Sequence, residues 1–225
     1  MRTNTPARIF RWNMTKNEFI SMIADAAIKY YEYYKILPSL TIAQAIKESN
    51  WGKSKLAAAN YNYFGMKWRE GCGCDAVSYM TKEYVNGAYI SVKQKFRVYD
   101  DPSEGIKGYY EFLKYPKYQN LKGITDSAAA CLQIQKDGWA TAPDYGISLY
   151  RDYVLKFNLL AYDYIVLPAP VYKPVGNVLH TVKEGEFLWL LAERYYNDGR
   201  CLGAIYRYNN LESVVITPGM KLLIP

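Results

Sequence analysis

Histidine is nearly absent: His180 is the only one in 225 residues. That excludes any site needing two imidazoles, and with it most histidine-built metal centres. The four cysteines, at 72, 74, 131 and 201, are too few and too unevenly spaced for a disulfide scaffold. No stretch approaches the ~18 consecutive apolar residues of a membrane-spanning helix, so no membrane insertion is expected. No run of five or more Lys and Arg occurs, which argues against a nucleic-acid partner. Neither a G-x-G-x-x-G nor a Walker-type loop is present, so no nucleotide cofactor is expected. The basic N-terminal residues Arg2, Arg8 and Arg11 lead into no apolar segment, and no secretory signal is legible there.

Tyrosine is abundant, with 24 residues, and the chain carries a net charge of +7. An aromatic surplus is either compositional bias or a surface that stacks on sugar or base rings. The basic balance favours an anionic partner such as a wall polymer or nucleic acid. Three prolines, Pro168, Pro170 and Pro174, mark a stiff linker over 167–177. Residues 178–225 hold equal numbers of acidic and basic side chains, so the whole excess lies before the linker. Two domains are expected, 1–166 and 178–225.

In the larger part, Thr15 and Glu18 form a capping box ahead of a helical apolar pattern through Ile20, Ile23, Ala27 and Tyr31. Pro38-Ser39 opens a second helix running to about Ser49, with Gly52 as its stop. A short helix follows over 53–59. Residues 76–85 and 88–99 alternate as strands around Asn86-Gly87, a strong hairpin signal. Helices are predicted from Asp101-Pro102 to about 114, over 125–136 and over 144–159. The fold class is α+β, a mainly helical domain with an inserted β-hairpin. The smaller part reads as strand 178–182, helices 186–196 and 202–208, and strand 221–224, a βααβ unit.

Glu48 occupies the last turn of the second helix, where the negative end of the dipole disfavours a carboxylate. Trp51, Tyr63 and Phe64 nearby are expected to desolvate it, and both effects favour the protonated form that a general acid needs. The alternative is an ordinary exposed helix-end glutamate. Glu83 lies in the first hairpin strand. A hairpin folded over the helices brings it across a cleft from Glu48, the two-carboxylate arrangement of glycosidases. Otherwise it is a solvent-facing strand residue paired with Lys82 or Lys93. Cys72-Gly73-Cys74 is too tight for a zinc C-x₂₋₄-C pair and lacks further ligands, so no metal site is expected. A local disulfide or two free thiols fits it better, and Cys131 reads as core.

Four ordered motifs carry a resemblance. Ala43-Gln44-Ala45-Ile46-Lys47-Glu48-Ser49-Asn50-Trp51-Gly52 resembles the signature of glycoside hydrolase family 73, the flagellar-hydrolase and autolysin endo-β-N-acetylglucosaminidases. Asn62-Tyr63-Phe64-Gly65-Met66-Lys67 is similar to its N-Y-F-G motif. Thr81-Lys82-Glu83 with Phe96-Arg97-Val98-Tyr99 is similar to its hairpin. Trp139 through Tyr145 resembles its A-T-D-P-x-Y motif, with Ala142 where Asp is usual. The resemblance covers about residues 15–160. Residues 179–189 and 209–225 likewise resemble the opening and close of a LysM module.

These resemblances imply a lysozyme-like fold acting on peptidoglycan glycan strands between N-acetylglucosamine and N-acetylmuramic acid, without cofactor or metal. Glu48 is the implied acid, with Glu83 the second carboxylate and Tyr145 the active-site tyrosine. Trp51, Asn62, Tyr63, Phe64 and Trp139 are expected to contact substrate. Gly185, Glu186, Phe187 and Ile216 are the implied LysM glycan contacts. A monomeric phage endolysin or autolysin acting at the cell wall is the expected setting. Rival readings are a muramidase or lytic transglycosylase on the same scaffold, and a non-catalytic wall-binding or phage tail protein.

Overall fold

The computed structural model describes residues 14–85 and 88–225, with the side chains of 82–89 outside that description. The Asn86-Gly87 turn and the reading of the N-terminal segment therefore fall outside the described residues. Helix α1 (Lys16–Tyr34) begins with the expected capping box: the Thr15 N–H donates to the Glu18 carboxylate at 2.7 Å and Glu18 N–H donates to Thr15 Oγ1 at 3.2 Å. Helix α2 (Pro38–Ser49) is buried along nearly its whole length, from Pro38 to Ile46. Its polar residues Ser39, Thr41 and Gln44 are buried along with its apolar ones, because the helix runs through the middle of the domain rather than across its surface.

The stop of α2 differs from expectation. The chain turns at Asn50 (φ 51°), continues through Trp51 (φ 61°) and only then reaches Gly52 (φ 72°). Asn tolerates the left-handed cap better than most residues, so Asn50 rather than Gly52 is the cap, and the helix ends at Ser49 as expected. Gly52 is still required there, since a Cβ would lie 2.7 Å from the Phe19 ring.

Helix α3 (Lys55–Asn60) leads to a long antiparallel hairpin, β1 (Asp75–Val85) with β2 (Ala88–Val98), in the register Asp75 opposite Val98 to Val85 opposite Ala88. Then come α4 (Pro102–Phe112), a 3₁₀ segment at Pro116–Leu121, and α5 (Ser127–Lys136). The helix expected over 144–159 is instead composite. A single turn, α6 (Tyr145–Ser148), passes into a π-helical segment, Leu149–Leu155, which ends before Asn158 in the left-handed region. Periodicity at 3.6 cannot distinguish this wider winding, which is common near functional sites. Helix α7 (Leu160–Val166), which no sequence signal marked, closes the first domain.

The second unit pairs β3 (Val178–Thr181) antiparallel with β4 (Lys221–Ile224) and covers them with α8 (Leu188–Tyr196) and α9 (Leu202–Tyr208). The observed class is thus α+β, with a βααβ unit behind a mainly helical domain carrying one hairpin. Two hydrophobic cores form, and Ile165 of α7 packs into the second alongside Leu188 and Leu202. No helix among the described residues is long and apolar enough to cross a membrane.

Candidate active site

Three residues far apart in sequence meet at the C-terminal end of α2. Tyr145 OH donates to Glu48 Oε1 at 2.5 Å, and Trp139 Nε1 donates to the same oxygen at 3.3 Å. Each partner is fixed from behind. The Trp139 ring sits edge-on to Tyr109 (5.6 Å) and Phe112 (5.9 Å) of α4. Tyr145 opens α6, which presses on α5 so closely that a Cβ on Gly146 would lie 2.4 Å from the Cys131 carbonyl oxygen. The Gly146 N–H donates to Gln135 Oε1 at 2.7 Å and locks that contact. Burial, reinforced by the Glu48 charge, pushes the Tyr145 hydroxyl well above its ordinary range. It therefore remains a proton donor.

Sequence reasoning missed Gln44. Its side chain is completely buried one turn before Glu48. Gln44 Nε2 donates to Tyr145 OH at 3.1 Å, and Tyr109 OH donates to Gln44 Oε1 at 2.6 Å. An amide NH₂ can only donate, so the Tyr145 oxygen must accept and its single proton is directed at Glu48. The i, i+4 spacing of Gln44 and Glu48 on one helix was the available signal. Gln44→Leu is expected to keep the fold and to slow any reaction that uses Glu48 on the order of tenfold, through loss of this directed hydrogen bond. A wild-type turnover rate in that variant would show that packing alone holds Tyr145.

Other expected site residues fall elsewhere. Glu48 is exposed, and the aromatic residues expected to bury it pack on Phe157, Phe19 and Tyr109 instead. Trp51 packs on Phe157 at 4.8 Å under the Lys16 ammonium, and Tyr63 is fully buried edge-on to Phe19. Asn62 is a buried brace: its Nδ2 donates to the Met66 and Arg97 carbonyls at 2.9 and 3.0 Å. Phe64 stacks on Tyr109 at 4.1 Å, behind Trp139. Asn62, Tyr63 and Phe64 are thus buried behind the surface, while Trp51 is half-buried against Phe157. Glu83 stands opposite Ile90 in the hairpin register, and its side chain lies outside the described residues.

In the second unit, Gly185 and Phe187 are exposed, whereas Ile216 belongs to the core. The Glu186 side chain is turned inward. It accepts from Lys183 N–H at 2.9 Å, bonds His180 Nε2 at 2.7 Å and accepts from Arg194 at 2.5 Å. Those donors, the backbone N–H first, hold its carboxyl down at about 2. Cys72 and Cys74 are disulfide-bonded, while Cys131 and Cys201 are buried free thiols. No cluster of three or more His, Cys, Asp or Glu suited to a metal occurs among the described residues.

Residues 24–154 match the family described as mannosyl-glycoprotein endo-β-N-acetylglucosaminidase, and residues 180–225 match the LysM domain. A probable N-acetylmuramidase of Lactococcus lactis is 31% identical over 229 residues, an alignment covering 92% of this chain and 50% of that protein. The exo-glucosaminidase LytG of Bacillus subtilis is 34% identical over 152 residues, covering 64% of this chain and 52% of that one. This chain therefore spans about half the length of these two curated relatives. The catalytic domain of the autolysin Auto from Listeria monocytogenes superposes with a TM-score of 0.59 at 27% identity, covering 72% of this chain and 90% of that structure. A glutamate held at a helix end by Tyr145 and Trp139, within a matched segment spanning more than half of the sequence, places the chain in the glucosaminidase family, glycoside hydrolase family 73, with a LysM domain following its catalytic domain.

Proposed function

We propose that this chain hydrolyses the glycan strand of bacterial peptidoglycan between N-acetylglucosamine and N-acetylmuramic acid, with Glu48 as the general acid and the LysM domain retaining it on the wall. The observation that carries this reading is the pair of donors on one oxygen. Tyr145 OH and Trp139 Nε1 both engage Oε1. With Oε1 taken up by these donors, Oε2 is the oxygen left to deliver a proton to the glycosidic oxygen. Glu48 is exposed while Gln44, Tyr109 and Tyr145 behind it are buried, so its backing is rigid and only substrate needs to displace water. Glu83 is the residue we assign to assisting attack at the anomeric carbon, by activating water or alongside the substrate's own acetamido group.

The matched family's description supports the glucosaminidase side. The Lactococcus relative's name favours the muramidase alternative. Tyr63 and Phe64 are buried, so neither excludes the bulkier muramic ring by direct contact. The product decides. Digestion of purified walls, borohydride reduction and mass spectrometry should show reduced N-acetylglucosamine at the new ends. Reduced N-acetylmuramic acid would establish a muramidase, and anhydromuramic ends a lytic transglycosylase. No new ends of any kind would remove the hydrolase reading and leave a wall-binding protein.

A further inference from the structure

We propose that the cleft between the two domains is a second saccharide site, separate from Glu48, with one wall from each domain, and that it takes an uncharged N-acetylhexosamine unit. The proposal rests on the C-terminal domain being glycan-binding and extends that site onto the catalytic domain. The cleft has a volume of about 410 Å³, inside the ~300–1,000 Å³ range of small-ligand pockets. Asn17 and Ser21 of α1 and Asn158 line one side, and Phe187 and Val215 line the other. Phe187 and Val215 are 51% and 52% exposed, although Leu188 and Ile216 beside them are buried. Two large apolar side chains are thus left open where the fold buries their neighbours.

The chemistry of the lining selects the ligand. No residue lining the cleft is Asp, Glu, Lys or Arg. A charged ligand would lose hydration there and find no counter-charge. A pyranose presents an apolar face to an aromatic ring such as Phe187, and hydroxyl and acetamido groups to amide and hydroxyl partners such as Asn17, Asn158 and Ser21. The carboxylated lactyl-peptide of a muramic unit fits this lining less well than N-acetylglucosamine.

The walls are held together at the cleft itself, through the backbones of Ile165 and Val214, which line it. Arg207 Nη1 donates to the Ile165 carbonyl at 2.6 Å, and Val214 N–H approaches Asp25 Oδ1 at 3.4 Å. Burial raises the Asp25 carboxyl above its usual range, opposed by its hydrogen bonds to Val214 and Ser213. Ile165 sits in the second core. A glycan in the cleft is consequently held at a fixed distance from Glu48, rather than on a freely tethered module.

The test is isothermal titration of chitotriose into the full chain carrying Glu48→Gln, which prevents turnover. Two saccharides per chain are expected. Adding Ser21→Trp, which fills the cleft from the catalytic side, should leave one. Asn17→Ala, an exposed and benign helix substitution, should weaken the second site several-fold with unchanged circular dichroism. Phe187→Ala should weaken it from the other wall. If only Phe187→Ala acts, the LysM edge binds alone and the shared site is overturned. If the parent binds one saccharide and none of the three variants changes it, the cleft binds no sugar and the glycan-binding reading of the C-terminal domain fails as well.

Discussion

Glu48→Gln is expected to lower the rate of wall lysis by roughly 10²–10⁴-fold while leaving secondary structure and thermal midpoint close to wild type. The amide is nearly isosteric, and its oxygen can still accept from Tyr145 and Trp139 in place of Oε1. What disappears is the proton that Oε2 would deliver to the departing sugar oxygen. Stability changes little because Glu48 is exposed and spans no buried ion pair. The loss should fall on the turnover rate with binding to insoluble walls retained, since the interaction exists in the transition state and barely in the ground state. Near-wild-type turbidity clearance by a folded Glu48→Gln protein would remove Glu48 from the chemistry and, with it, the significance of the Tyr145–Trp139 arrangement.

Asp163→Asn is expected to change how stability depends on pH. Asp163, in α7, is 2% exposed and accepts from the Ser39 N–H at 2.8 Å and from Ser127 Oγ at 2.5 Å. Ser39 is the second residue of α2, whose N-cap residue, Leu37, offers no side-chain cap. The helix that carries Glu48 is therefore capped from another element, and the same carboxylate ties in the start of α5. Burial is the largest influence on Asp163 and raises its carboxyl to about 6, against the opposing bonds from Ser127 and Ser39.

The folded chain then binds a proton that the unfolded chain, near the ordinary 3.8, has already released. The associated stabilisation is fully present below about pH 4, falls as pH rises through about 6, and is absent above that. At ~1.36 kcal/mol per unit, the span is roughly 3 kcal/mol. Urea unfolding at pH 4 and pH 7 should show wild type losing roughly 2 kcal/mol more than Asp163→Asn between the two conditions, since the unfolded carboxyl is already partly ionised at pH 4. Parallel slopes for the two proteins would mean that Asp163 keeps an ordinary carboxyl in the folded state.

Local features were legible without the fold. The capping box at Thr15 and Glu18, the paired strands and the βααβ order of the second unit depend on short-range chemistry and periodicity, and each formed where the pattern placed it. The composite element after Tyr145 was not legible, because a π-helical segment and an α-helix present nearly the same apolar spacing. Helix α7 was also missed. Leu159, Leu160 and Ile165 divide between two cores, so no single apolar face emerges from its sequence.

Glu48 and Tyr145 stood out by motif, but the sequence could not say what any aromatic residue near them faces. Asn62, Tyr63 and Phe64 lie within sixteen residues of Glu48 in the chain and turn inward, and half-buried Trp51 packs on Phe157, because adjacent positions on a helix end and its following turns diverge in space. Trp139 is ninety-one positions from Glu48 and touches it. Residue type and short spacing determined which groups can donate, accept or cap. Tertiary structure decided which of them meet: that Gln44 aims the Tyr145 proton, that Asp163 caps α2 from 124 residues away, and that two cores close on one cleft. Long-range contacts depend on the packing of whole elements, and that packing reflects the summed burial of many side chains rather than any one local pattern.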